Sequence, residues 1–216
     1  MSFFAKVFQI YIERWPWFLE LLGEQLRISL ISVLLAGTIG MLLGIFIAGH
    51  RRFAEPVMAV CNVFYTIPAI ALIGLLIPLI GIGERNAIAA IVLYGIMPMV
   101  RNTYTGLTNI EASTVDAALG LGSTKSQLLF RIRLPLAASV ILAGLRNVVV
   151  MSIATGSIAA FVGGGGLGEA IFRGITMYNT AMTFAGSLLL VALALLCDFV
   201  LSRIEKHLKK KWRVKT

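Results

Sequence analysis

Charge is scarce in this sequence. Only 13% of its 216 residues are Asp, Glu, Lys or Arg, whereas 58% are hydrophobic and the mean hydropathy is +0.90. A water-soluble domain of this length has too little interior to hide so much apolar side chain, so a soluble fold is excluded and lipid becomes the solvent. Cysteine is nearly absent too. Cys61 and Cys197 both sit inside apolar runs, where a thiol behaves as a small hydrophobe, and they form neither a disulfide framework nor a metal-ligand spacing. No catalytic constellation is visible, so the chain is not expected to be an enzyme. Acidic residues are the scarcer sign, 10 against 19 Lys plus Arg. In a soluble protein that excess would point to nucleic acid. In a polytopic membrane protein, basic residues collect in cytoplasmic loops and meet anionic lipid, so the bilayer is the expected partner and nucleic acid is not.

A cleavable leader is not expected either, because residues 1–25 lack a basic start, a short apolar core and a small-residue cleavage site. Residues 1–27 read as an external, interfacial segment. Phe3, Phe4, Val7, Phe8 and Tyr11 recur at helical spacing, and Trp15 and Trp17 suit the headgroup level. Packing of that helix on its own protein is the alternative.

A helix crosses about 30 Å of hydrocarbon with about 20 residues. Five apolar runs approach that length, at 28–48, 56–80, 87–101, 136–162 and 181–201. The third can continue to Gly106 if Arg101 snorkels. Pro68, Pro78 and Pro98 lie inside the second and third runs and predict local kinks. The fold class is therefore all-α, a single polytopic membrane bundle over 1–216 with about five spans. An external N-terminus and a cytoplasmic C-terminus place thirteen basic residues inside, among them Arg51, Arg52, Arg101, Lys125, Arg131, Arg133 and the tail at 203–216. Only Lys6, Arg14, Arg27, Arg85 and Arg173 then fall outside, and 163–180 becomes an external loop. Arg146 and Asp198 are left within apolar runs, where charge is costly unless paired or facing a cavity. They are expected to form an ion pair between spans four and five, although Arg146 lies deeper and must snorkel to reach Asp198.

The longest segment between spans, 107–135, is too patterned for a connector. Ser113 or Thr114 can cap a short helix carrying Val115, Ala117, Ala118 and Leu119; Gly120 and Gly122 permit a tight turn. Thr124 with Gln127 then forms a capping box for a second helix that ends before Pro135. The pair exposes small and apolar residues on the cytoplasmic side and so wants a partner. These residues resemble the permeases of binding-protein-dependent ABC importers, whose cytoplasmic loop reads E-A-A, three residues, G, nine residues, I-x-L-P. Asp116, Ala117, Ala118, Gly122, Ile132, Leu134 and Pro135 match with complete spacing, and Asp116 replaces the usual Glu. The resemblance implies that the loop docks in a cleft of an ABC ATPase subunit. It also implies a second permease subunit, identical or paralogous, and an extracytoplasmic substrate-binding protein. ATP and Mg would sit on the partner ATPase, and this chain would bind no cofactor.

RNTYTGL at 101–107 and FVGGGGLGEAIFRGI at 161–175 resemble permeases for quaternary-ammonium osmoprotectants: glycine betaine, carnitine and choline. That implies a multi-pass protein of a bacterial cytoplasmic (inner) membrane. Amino-acid and methionine permeases share the loop pattern and form the alternative; an ion-coupled secondary transporter would show more embedded acids and repeated halves. Gly163, Gly165, Gly168 and Glu169 are candidates for docking the binding protein. Gly163, Gly165 and Gly168 also satisfy G-x-G-x-x-G, but they follow a membrane span rather than a Rossmann strand. Lys125 follows Thr124 rather than Gly, so 120–126 is no phosphate loop. Asn62, Tyr65, Thr66, Arg146, Asn147, Ser152 and Thr155 are candidates for lining a translocation path.

Overall fold

The computed structural model describes the backbone of residues 2–211 and side chains through His207; the tail residues 212–216 lie outside the described residues. Among the described residues the chain forms helices and turns, with no strand.

Helix α1 (Phe3–Gly49) is 47 residues long, about 70 Å at 1.5 Å per residue. The interfacial segment expected at 1–27 and the first span are thus one helix. Its one irregular residue is Arg14 (φ −123°, ψ 22°). Pro16 follows in the first turn of the resumed helix, where its missing N–H costs no bond. The N-terminal turns take the packed alternative. The Tyr11 hydroxyl donates to the Ala185 carbonyl at 2.7 Å, Phe3 and Phe4 meet Phe184 edge-on, and Val7 is buried with Ala181, Ala185 and Leu193.

The second run divides into α2 (Ala54–Thr66) and α3 (Ala69–Ile80), which meet at 99°. Pro68 has no N–H to offer the Phe64 carbonyl, and it drives Ile67 into extended backbone (ψ 130°). The kink expected there is therefore a break. The Tyr94 hydroxyl, reaching over from α4 (Glu84–Thr108), donates to the Ile67 carbonyl at the break. Next come α5 (Ala112–Gly120), α6 (Lys125–Gln127), a π-helical turn (Leu128–Arg133) and α7 (Leu134–Ile158). Helices α8 (Gly168–Thr176) and α9 (Thr180–Lys211) complete the described chain. Four helical segments are long and apolar enough to cross a membrane, five if the bent α2 and α3 pair is counted as one span, in line with the expectation of about five.

The bundle centre is α1 on α4 and α4 on α7, and small residues bring the three together. Gly40 and Gly44 form a G-x-x-x-G stripe on α1; a Cβ added there would lie 2.6 Å from Met99 Cβ and 2.5 Å from Thr103 Cβ respectively. Gly95 meets Ala36 and Val148, and Gly144 meets Asn102, in the same manner. Lipid supplies no hydrophobic drive between helices, so this close van der Waals approach is what selects the pairing.

Candidate coupling site and translocation path

The segment expected to couple is a helical hairpin at one end of the bundle. Glu111, not Ser113 or Thr114, occupies the cap of α5. Its carbonyl accepts from the Thr114 and Val115 N–H groups at 3.1 and 3.3 Å, and no side chain caps the helix. Ser113 and Thr114 fall inside the first turn because the bend at Glu111 starts the helix earlier. Asp116, Ala117 and Ala118 follow on α5, and Gly122 turns the chain at φ +82°. The Thr124 and Gln127 capping box is present, with Gln127 N–H donating to Thr124 Oγ1 at 3.2 Å and Thr124 N–H to Gln127 Oε1 at 2.9 Å.

The second helix does not end before Pro135. It runs unbroken from Lys125 to Val162, with Ile132 in the π turn and Leu134 and Pro135 opening α7. The wider π turn just upstream makes room for the pyrrolidine ring and removes the need for its N–H. Ala118 and Leu128 are buried inside the hairpin, while Leu119, Leu121 and Phe130 are exposed at 48%, 89% and 64%. Under the hairpin, Arg51, Thr108, Asp116 and Arg133 line a cavity of about 200 Å³. The Arg133 Nε is buried without a hydrogen-bond partner, and no ion pair joins Asp116 to either arginine among the described residues. Arg51 and Arg133 were not singled out for this site. Their only sequence signal is a basic residue immediately after span one and another just before span four.

At the far end of α7 the chain turns at Gly163 (φ +69°), Gly165 (φ +76°) and Gly166 (φ +81°). This loop is wedged onto the middle of α1. The Glu24 carboxylate accepts the Gly166 N–H at 2.8 Å, and a Cβ at Gly165 would meet Glu24 Oε2 at 2.5 Å. Gly168 is buried directly beneath the Ser157 carbonyl, which corrects its assignment to a docking surface: it lacks a Cβ so that α8 can close on α7. Glu169 pairs with Arg173 at 2.6 Å, and Arg173 lies over the Trp17 ring. The surface left open carries Gly163, Phe161, Ile175, Met177 and Tyr178. Tyr178 is 95% exposed at φ +53°, a backbone region a tyrosine rarely adopts, and no sequence pattern marked it.

The candidate path residues separate. Asn62, Tyr65 and Thr66 are exposed together on the last turn of α2, and Asn147 is exposed on α7. Ser152 and Thr155 are instead enclosed; Ser152 donates to the Val149 carbonyl at 2.7 Å. Both serve helix packing, because their face of α7 is covered by neighbouring helices. Arg146 is held by carboxylates. Its Nε and Nη2 bind the Asp198 carboxylate at 2.6 and 2.8 Å, and Nη1 reaches Glu205 at 3.4 Å. The expected pair between spans four and five is present as a two-pronged contact, and Glu205 extends it.

The comparisons with known proteins agree with this architecture. Residues 40–214 match the family model described as binding-protein-dependent transport system inner membrane component. The glycine betaine/carnitine/choline transport system permease protein OpuCD of Bacillus subtilis (strain 168) is 42% identical over 85% of this chain and 82% of its own. The ergothioneine transport permease/ergothioneine binding protein EgtU of Helicobacter pylori (strain G27) is 43% identical over 74% of this chain and 29% of its own. A structure of the MetNI methionine ABC transporter in an inward-facing conformation superposes with a TM-score of 0.84 at 23% identity, covering 91% of this chain and 98% of that one. Four or five apolar helical segments of membrane-crossing length, a helical hairpin bearing the loop pattern and these matches lead to one assignment: the chain is a multi-pass membrane protein that belongs to the binding-protein-dependent transport system inner membrane component family of ABC permeases.

Proposed function

We propose that this chain is the permease subunit of an ATP-driven importer for quaternary-ammonium osmoprotectants such as glycine betaine, carnitine and choline. The observation that carries the reading is the hairpin. Asp116, Ala117 and Gly122 lie on a projecting helix and turn, with Leu119, Leu121 and Phe130 exposed around them and left uncovered by the described residues. Such a surface is stable in water only against a partner. In this reading the partner is an ABC ATPase subunit, which holds the ATP and Mg; a second permease subunit and a binding protein complete the complex. ATP-driven closure of the ATPases moves the hairpins, and the spans alternate between outward and inward access.

The cargo class follows from the relatives. Glycine betaine, carnitine, choline and ergothioneine all carry a trimethylammonium group, a cation with no N–H to donate. In this reading, which the basic bias of the loops supports, the hairpin and C-terminus are on the cytoplasmic side of a bacterial inner membrane and the N-terminus is outside. Methionine or another amino acid is the second reading, favoured only by the shared fold. The test is reconstitution of the chain with its ATPase and binding protein in proteoliposomes, measuring ATP-dependent uptake of radiolabelled glycine betaine, carnitine, choline and methionine. Uptake of the trimethylammonium compounds is expected. Uptake of methionine alone would overturn the cargo, and uptake driven by an ion gradient without ATP would overturn the mechanism.

A further inference from the structure

The break between α2 and α3 leaves a feature that span counting does not explain. At the last turn of α2 the Phe64 carbonyl faces Pro68, which has no N–H, and the Tyr65 and Thr66 carbonyls lose their helical partners to the 99° bend. The Thr66 hydroxyl turns back to the Val63 carbonyl, so it supplies no donor to the groups beyond. A helix C-terminus inside a membrane thus presents partial negative charge from the dipole and from free carbonyl oxygens. Tyr65 stands at that end, 44% exposed, with its ring held edge-on to Tyr94 at 6.2 Å and 62°. Tyr94 is 5% exposed and anchored through its hydroxyl to the Ile67 carbonyl, so it fixes the Tyr65 ring rather than meeting a ligand itself. Beside them Asn62 is exposed with no hydrogen-bond partner among the described residues, an arrangement hydrocarbon does not tolerate. This face therefore looks onto water or a second subunit, not lipid.

We infer that the Tyr65 ring and the carbonyl end of α2 form a transit site for the trimethylammonium group inside the permease. The chemistry fits the cation from both sides. A quaternary ammonium cannot be held by hydrogen bonds to an acceptor, but an aromatic face and a ring of carbonyl dipoles attract its diffuse charge without binding it too tightly to leave. No carboxylate is needed, and the Asp198 carboxylate on α9 is already paired with Arg146. The site rests on the proposed cargo class, and it assigns to the permease a share of the cation selectivity otherwise left to the binding protein.

The test uses the reconstituted complex and radiolabelled glycine betaine at saturating binding protein, so that delivery is not limiting. Tyr65→Phe keeps the ring and is expected to retain at least about half the wild-type rate. Tyr65→Leu removes the ring and is expected to slow uptake by about three- to thirty-fold, the range of a cation and ring contact. Replacing the side chain at 65 by mono-, di- and trifluorophenylalanine leaves the shape nearly constant and drains the ring's negative face. A stepwise fall in rate with fluorine count is expected, and a purely structural role would not produce it. Equal rates across the fluorinated series overturn the site, as does Tyr65→Leu at the wild-type rate. A wild-type complex that carries none of the trimethylammonium compounds overturns the functional reading itself, and the site with it.

Discussion

Gly122 turns the hairpin at φ +82°, a conformation that strains any residue with a Cβ. Gly122→Val is therefore expected to misplace α5 relative to α6. Membrane insertion should persist, while ATP hydrolysis by the complex should continue with uptake reduced at least about tenfold; normal coupled transport by that variant would refute the role of the turn. Gly44 is constrained by space instead. Gly44→Val drives a Cβ to 2.5 Å from Thr103 Cβ and should cost about 1–3 kcal/mol of stability, read as a lower unfolding temperature in detergent. The Arg146 and Asp198 pair gives a charge test. Asp198→Asn should lower the unfolding temperature, and the swap of Arg146→Asp with Asp198→Arg should recover part of it. Such residues were legible where spacing alone defines them, as in the pattern from Asp116 to Pro135. Ser152, Thr155 and Gly168 were not, because whether a small or hydroxyl side chain is covered depends on helices distant in sequence.

Helices show the same division. Hydropathy finds apolar runs, so it located five spans, but it is blind to a helix that continues into the interface. Residues 3–27 pack along α9 through Phe3, Val7 and Tyr11, contacts 174 residues apart in the Tyr11 case. Proline has a comparable ambiguity. Pro16 sits in a first turn, Pro135 follows a π turn, and Pro98 stays within α4, whereas Pro68 breaks its helix by 99°. The difference lies in the neighbouring backbone, and at Pro68 the Tyr94 hydroxyl stabilises the broken form by taking the Ile67 carbonyl. Pro68→Ala restores a donor to the Phe64 carbonyl. It is expected to reduce the bend and to slow uptake several-fold while leaving insertion intact, checked by the transport assay alongside expression in the membrane fraction.

The molecule as a whole exposes a broad apolar surface, with Leu30, Leu34, Leu42, Val60, Leu79 and Leu195 all outward, as lipid and partner subunits require. Its orientation is testable with an impermeant thiol reagent after Cys61 and Cys197 are replaced. Ser123→Cys should react only from the cytoplasmic side and Asn179→Cys only from the other; the reverse pattern would invert the topology. One feature then gains a mechanical meaning. The helix from Lys125 to Val162 spans 38 residues, about 57 Å, and carries the hairpin at one end and the glycine loop latched to Glu24 at the other. Its π turn lies close to the hairpin, so the remaining shaft behaves as a lever with its joint near the driven end. A tilt of roughly 5° over the shaft from Leu134 to Val162, about 43 Å, displaces the far tip by about 4 Å, enough to pull the loop away from Glu24. In the proposed coupling, helix length alone would amplify the motion of the hairpin, and the Glu24 contact would be the catch that the motion releases.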